Sequence, residues 1–103
     1  SLQSASNTIT AMGGTAASST IGSEQFGIRA TTSGGTGSTV SSPYSSATSY
    51  GYNATATTSA VLATGTGATN TTTYSLRYVA NIANLTEAGT YVANIVYVAT
   101  AHF

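Results

Sequence analysis

The chain has 103 residues, and only four of them carry a formal charge, two Arg balanced by two Glu. About a quarter of the residues of an ordinary soluble domain are charged, and nucleic-acid binding needs several Lys or Arg. Because the sequence also contains no Lys, Asp, Cys or Trp and no run of about 20 apolar residues, we expect no metal site, no cofactor, no nucleic-acid partner and no membrane-spanning helix.

Four short strands are predicted in the first seventy residues, where Gly-rich links separate stretches of Ser, Thr and Ala. They lie at 6–12, 21–30, 48–55 and 60–63. In the second of these strands Phe26, Ile28 and Ala30 occupy alternate positions, so they are expected to share one face. The third strand is expected to carry Tyr50 and Tyr52.

The strongest strand signal lies in the C-terminal thirty residues. A two-residue period predicts one long strand at 74–80, Ala88 and Gly89 indicate a turn, and renewed alternation predicts a second long strand at 91–103. We expect these two strands to pair in antiparallel fashion or to cross between two sheets. The predicted core side chains on their apolar faces are Tyr74, Leu76, Tyr78, Tyr91, Ile95 and Tyr97.

The opposite face of the second long strand is apolar as well, since it carries Val92, Val96 and Val98. A strand with one face in water normally shows a cleaner alternation of apolar and polar residues. The second strand is therefore expected to be covered on both sides or to meet a neighbouring subunit. The three valines are the predicted packing face between subunits.

Short strands with turn signals at intervals of about 8–12 residues are typical of a β-sandwich or a barrel. No segment shows the period of a helix, and the β-branched residues disfavour helix throughout. We therefore predict one all-β domain over 1–103, an antiparallel β-sandwich of immunoglobulin-like or pilin-like type. The sandwich is expected to be complete in one chain or to be completed by a strand from a neighbouring subunit.

The edges of the predicted strands are unprotected. Natural sheets guard their edges with Lys, Pro or inward-pointing charges, and this chain has no Lys and a single Pro. A neighbouring chain can add a strand to such an edge and insert alternate side chains into the recipient. Residues 1–20 are expected to form a donor strand or an N-terminal extension, with Leu2, Ile9 and Met12 as the donor side chains.

Catalysis is not expected. The candidate acid–base residues Glu24, Glu87 and His102 are isolated in the sequence, no Asp is present to complete a Ser-His-Asp triad, and no G-x-S-x-G motif occurs. Three triplets match the N-glycosylation pattern, which makes a glycan a candidate modification. Their acceptor residues are Asn53, Asn70 and Asn84.

The C-terminal sequence resembles the last strands of bacterial surface β-sandwich subunits. It combines an Ala-Gly-Thr-Tyr turn at 88–91 with alternating aromatic or small residues at 97–103, as in chaperone–usher and spore-coat-U-type pilins. It is also similar to the closing strands of WxL cell-wall-associated domains. With Glu-Gln-Phe-Gly at 24–27, it also resembles Ser/Thr-rich surface proteins of small-genome uncultured bacteria. Tyr97 stands where a WxL domain has Trp, and the pilin disulfide is absent. The resemblance implies extracellular assembly or adhesion.

These observations predict an extracellular or cell-surface structural subunit of a filament, pilus or surface layer, formed from identical copies. The predicted alternative is an adhesion or carbohydrate-binding module that uses Tyr50 and Tyr52 as a stacking platform for sugar rings. A third and weaker candidate is a decoration domain of a capsid or spike.

Overall fold

The computed structural model describes residues 1–54, 59–67 and 70–101. The described residues form antiparallel sheets and contain no helix, which confirms the predicted all-β class. The eight strands are β1 (Leu2–Ser4), β2 (Asn7–Ile9), β3 (Gly13–Ala17), β4 (Gln25–Ser33), β5 (Ser38–Val40), β6 (Tyr50–Tyr52), β7 (Ala63–Gly65) and β8 (Thr73–Asn81).

A four-stranded antiparallel sheet with the order β3-β6-β4-β8 is the centre of the fold. Its longest pairing joins β4 to β8 over nine residues of each strand, from Gln25 opposite Asn81 to Ser33 opposite Thr73. Both strands are rich in the β-branched and aromatic residues that suit a pleated surface. Two small sheets, β1-β2 and β5-β7, accompany the central one.

The second edge of β4 is shared by several parts of the chain. Near its start, the Phe26 N–H donates to the Thr10 carbonyl at 2.8 Å, and the Met12 N–H donates to the Phe26 carbonyl at 2.9 Å. Strand β6 pairs with the middle of β4, and beyond it the Ala30 N–H donates to the Tyr44 carbonyl at 2.9 Å. Because both of its edges are bonded, β4 is the interior strand on which the core is built.

Among the described residues, the core consists of five apolar side chains that are at most 5% exposed. They are Ile9, Phe26, Ile28, Ala30 and Tyr44. The predicted shared face of β4 is therefore confirmed, and β2 and the segment after β5 contribute one side chain each. No polar or charged residue in the described ranges is buried with them.

Only the first of the two predicted C-terminal strands forms. Strand β8 confirms the strand predicted at 74–80, whereas residues 90–101 contain a single isolated bridge, between Val92 and Gln3. The prediction of a second long strand over 91–103 is wrong for its described residues, and residues 102–103 lie outside them. Strand β8 takes β4 as its partner, and residues 90–101 bond to Gln3 of β1 through the Val92 bridge instead of adding to the free edge of β8.

The observed core is built on β4 and not on the two predicted C-terminal strands. Tyr74, Tyr78 and Tyr97 are 38%, 51% and 51% exposed, so their placement in the core is wrong for the single chain. Leu76, Tyr91 and Ile95, also predicted in the core, are half-buried. Tyr74 and Tyr78 are exposed because β8 lies at the edge of the sheet, where side chains have neighbours on only one side. Tyr97 lies outside every strand.

Candidate assembly surface

The outer side of β8 is an open sheet edge. Its inner side is fully paired with β4, but no backbone hydrogen bond reaches it from the other side in the described part of the chain. The strand has neither Lys nor Pro, and Arg77 is its single charged residue. Apart from Arg77, it lacks the Lys and Pro residues with which natural sheets discourage pairing with another chain.

The C-terminal segment, defined here as residues 90–101, runs from the β1-β2 hairpin to the face of β8. Val92 exchanges two backbone hydrogen bonds with Gln3, at 3.0 and 2.8 Å. Farther on, the hydroxyl groups of Tyr97 and Tyr78 are hydrogen-bonded to each other. Burial and this hydrogen bond raise the pKa of the Tyr97 phenol well above its usual value of 10. The segment is therefore anchored to the rest of the chain at two points.

The three predicted packing residues project from this segment into solvent. Val92, Val96 and Val98 are 56%, 84% and 74% exposed. These three exposed valines, the valine strip, lie within seven residues of the chain. Their role between subunits stays a prediction, and the structure leaves them accessible for it.

An open groove of about 1300 Å³ lies between the central sheet and the C-terminal segment. Protein interiors are normally close-packed, with few voids larger than a water molecule. The groove therefore leaves this face of the sheet incompletely covered. Its aromatic and aliphatic walls include Ile28, Tyr44, Leu62, Leu76, Ile95 and Tyr97.

The predicted donor side chains all lie against their own chain. Leu2 lies opposite Ile9 in the β1-β2 pair, and Ile9 is 3% exposed. Met12 packs over Gly27, where an added Cβ atom would lie 2.6 Å from the Met12 sulfur. Their exchange into a second copy stays a prediction.

The tyrosines of the predicted sugar platform also have partners within the chain. The Tyr52 ring lies 5.1 Å from the Phe26 ring at an interplanar angle of 60°. Tyr50 lies beneath the Arg29 guanidinium, whose central carbon is 5.3 Å from the ring centroid. Tyr52, but not Tyr50, lines the groove.

The acceptor residues of the three glycosylation triplets, Asn53, Asn70 and Asn84, are exposed. The first triplet ends at Thr55, which lies outside the described residues. Exposure is a requirement for modification, so all three asparagines stay predicted sites.

The charged residues form an arrangement that sequence reasoning missed. Arg29 and Arg77 lie directly opposite each other in the β4-β8 pair. Glu24 accepts a hydrogen bond from the Thr86 hydroxyl at 2.7 Å, and Glu87 accepts one from the Asn7 side-chain amide at 3.2 Å. The two cations are thus adjacent, and both carboxylates are bonded to neutral groups.

The described residues contain no group of three or more His, Cys, Asp or Glu side chains suited to a metal ion. Within the same ranges, no helix has the length and apolar character needed to cross a membrane. Comparison of the chain with family models, curated proteins and solved structures found no match.

Proposed function

We propose that this protein is a structural subunit of an extracellular filament, pilus or surface layer, in which identical copies join by pairing of backbone strands. The open edge of β8 is the observation that carries the proposal. An added strand forms main-chain hydrogen bonds along such an edge, and its alternate side chains enter the face of the recipient sheet. The extracellular setting rests on the resemblance of the C-terminal sequence to bacterial surface subunits.

The groove supports the same proposal. An antiparallel β-sandwich needs a second layer over the apolar face of its first sheet, and here that face is covered only in part by the C-terminal segment. A strand from a neighbouring copy would fill the groove and complete a sandwich of immunoglobulin-like or pilin-like type. The exposed strip of Val92, Val96 and Val98 would be buried in the same interface.

Exchange of the N-terminal segment is compatible with the burial of Ile9 in its own core. When identical chains swap an element, each copy receives from its neighbour the same packing that it gives up, so the exchange has a low cost. In the proposed assembly Leu2, Ile9 and Met12 would occupy equivalent places in a neighbouring subunit.

The test is the association of the purified chain over a wide concentration range, followed by light scattering and electron microscopy. Ala80→Lys adds a charge to the exposed surface of β8, and Ile21→Lys adds the same charge at a residue that is 99% exposed and outside every strand. We expect the wild type and Ile21→Lys to form ordered polymers and Ala80→Lys to stay small. A wild type that remains monomeric at every concentration, with no polymer in the images, contradicts the proposal.

A carbohydrate-binding or adhesion module is the second candidate, and the tyrosines of the groove favour it. Tyr44, Tyr52, Tyr74 and Tyr97 all line this space, and aromatic rings combine a flat apolar surface with a polar hydroxyl. Saturable binding on a glycan array that is lost in Tyr52→Ala would support this function. An inert array together with polymers would favour the structural subunit.

A further inference from the structure

We propose that Arg29 and Arg77 form a carboxylate-binding site that is occupied by Glu87 of a second copy. The inference rests on the proposed self-assembly and adds to it the contact that fixes how neighbouring copies are oriented.

The two arginines form an unusual pair. Side chains directly opposite each other in antiparallel strands have Cβ atoms about 4.5–5.5 Å apart, and like charges at such positions repel. They are the chain's entire complement of Arg and Lys, and they lie in register at the centre of the longest strand pair. An anion between them would convert this repulsion into two attractions.

Neither arginine has an anionic partner in its own chain, as far as the structure describes it. Arg29 contacts the face of the Tyr50 ring, which holds the guanidinium in place. Its Nε–H is buried and has no hydrogen-bond acceptor. Buried donors are normally satisfied, so an unpartnered one in a native structure requires an explanation. A guanidinium has five N–H donors, so a ligand with its own oxygen atoms can bind the outer nitrogens without reaching the buried Nε–H.

The shape and charge of the pair favour a carboxylate. A guanidinium presents its N–H groups in a planar fork that matches the two oxygens of a carboxylate. In a polymer of this chain the side-chain carboxylates available are those of Glu24 and Glu87. Glu24 is half-buried and bonded to Thr86, whereas Glu87 is exposed and has only the long contact with Asn7. Glu87 is therefore the occupant we assign.

The acidic and basic residues lie at different levels along the strand pair. Glu24 immediately precedes the end of β4 that pairs with Asn81, and its carboxylate is bonded to Thr86, the residue before Glu87. Arg77 lies four residues farther along β8, or about 13 Å at about 3.3 Å per residue. A contact from the end of one copy to the centre of the next can repeat head to tail, and such a heterologous contact generates an open filament when the rotation does not close a ring.

A charge-swap experiment tests the site without altering Arg29. Assembly is measured for Arg77→Glu, for Glu87→Arg and for the double variant, each as a separate sample. A fourth sample is an equimolar mixture of the two single variants. Each single variant brings like charges together in the contact and should raise the concentration needed for assembly on the order of tenfold or more. The double variant and the equimolar mixture should regain part of the lost assembly, because both restore an opposite-charge pair at position 77 while Arg29 remains in the site.

Thermal unfolding of the variants, measured below the concentration at which the wild type assembles, provides the control for folding. Arg77→Glu replaces a like-charged cross-strand pair by an opposite one, so its melting temperature should not fall. If the wild type assembles but the single variants assemble equally well, or the double variant fails, the Glu87 assignment is wrong while the structural function stands. A wild type that does not assemble overturns both proposals. Loss of assembly in Arg77→Glu alone, with Glu87→Arg unaffected, points to another anion and also overturns the assignment.

Discussion

Gly51 provides a sharp test of how the core is packed. It lies at the centre of β6, opposite Ile28, and is buried. A Cβ atom at this position would lie 2.5 Å from Cγ and 2.6 Å from Cβ of Pro43, and 3.2 Å from the Gly13 carbonyl oxygen. Ordinary carbon contacts are near 3.5–4.0 Å, so Gly51→Ala places a methyl group inside the space of a proline ring.

The magnitude follows from two opposing effects. Extra methyl groups in a packed core typically cost about 1–3 kcal/mol, because neighbouring groups must move. Replacing Gly by Ala in a backbone conformation that Ala can adopt stabilises the folded state by about 0.4–1 kcal/mol, because it lowers the conformational entropy of the unfolded chain. Pro43 is buried and its ring is rigid, so the clash should be the larger effect. We expect Gly51→Ala to lower the free energy of unfolding by about 1–2 kcal/mol. That difference lowers the melting temperature by about 4–16 °C for a domain of this size.

The assay is thermal and urea unfolding by circular dichroism at several protein concentrations, since association would raise the apparent stability. Gly14→Ala is the matched control, because its new methyl group would meet only the Asn53 side chain, at an ordinary 3.8 Å. The double variant Gly51→Ala/Pro43→Ala should be less destabilised than the two single effects added together, as expected for residues in contact. A Gly51→Ala protein that melts at or above the wild-type temperature would refute the packing described here.

Two other predictions concern burial and titration. Ile9→Ala should lower the free energy of unfolding by about 2–5 kcal/mol, because Ile9 is 3% exposed. Ile21→Ala, at a residue that is 99% exposed, should change it by less than about 0.5 kcal/mol in urea unfolding. Equal effects of the two substitutions would contradict the assigned core. The raised pKa of Tyr97 means that the folded state keeps this phenol neutral where the unfolded chain ionises it. Stability should therefore be unaffected by this group at neutral pH and should fall as pH rises above about 10. Melting temperatures measured between pH 8 and 12 should show a shallower alkaline loss in Tyr97→Phe, and parallel curves would exclude a role for the Tyr78–Tyr97 contact.

The parts of the fold that sequence reasoning predicted are local ones. The alternation of Phe26, Ile28 and Ala30 is visible within five residues, and a period of two directly indicates a shared strand face. The same reasoning located β8, because its Tyr, Leu and Val residues favour a pleated surface and alternate over most of the strand. The all-β class follows from the same pattern, since no part of the sequence offers a helical period.

The choice of strand partner could not be predicted in the same way. The sequence predicted that 74–80 and 91–103 pair in antiparallel fashion or cross between two sheets, but β8 pairs with β4, which lies more than forty residues earlier in the chain. This choice depends on which pairing buries more apolar surface after the chain has closed long loops. The Arg29–Arg77 pair was missed for the same reason. Two isolated arginines become neighbours only when the register of a nonlocal strand pair is known.

The exposed area of the single chain connects these features to assembly. The chain has a solvent-accessible surface of 6845 Å², whereas a compact monomer of this size has about 5300 Å². The excess of about 1500 Å² is larger than the area of about 800 Å² that one partner buries in a standard protein–protein interface. The radius of gyration of the chain, 15.2 Å, likewise exceeds the value of about 13 Å for a compact domain of 100 residues. In the described part of the chain, the small core of five side chains, the open edge of β8 and the exposed Val92, Val96 and Val98 leave packing unmet that a second copy can supply.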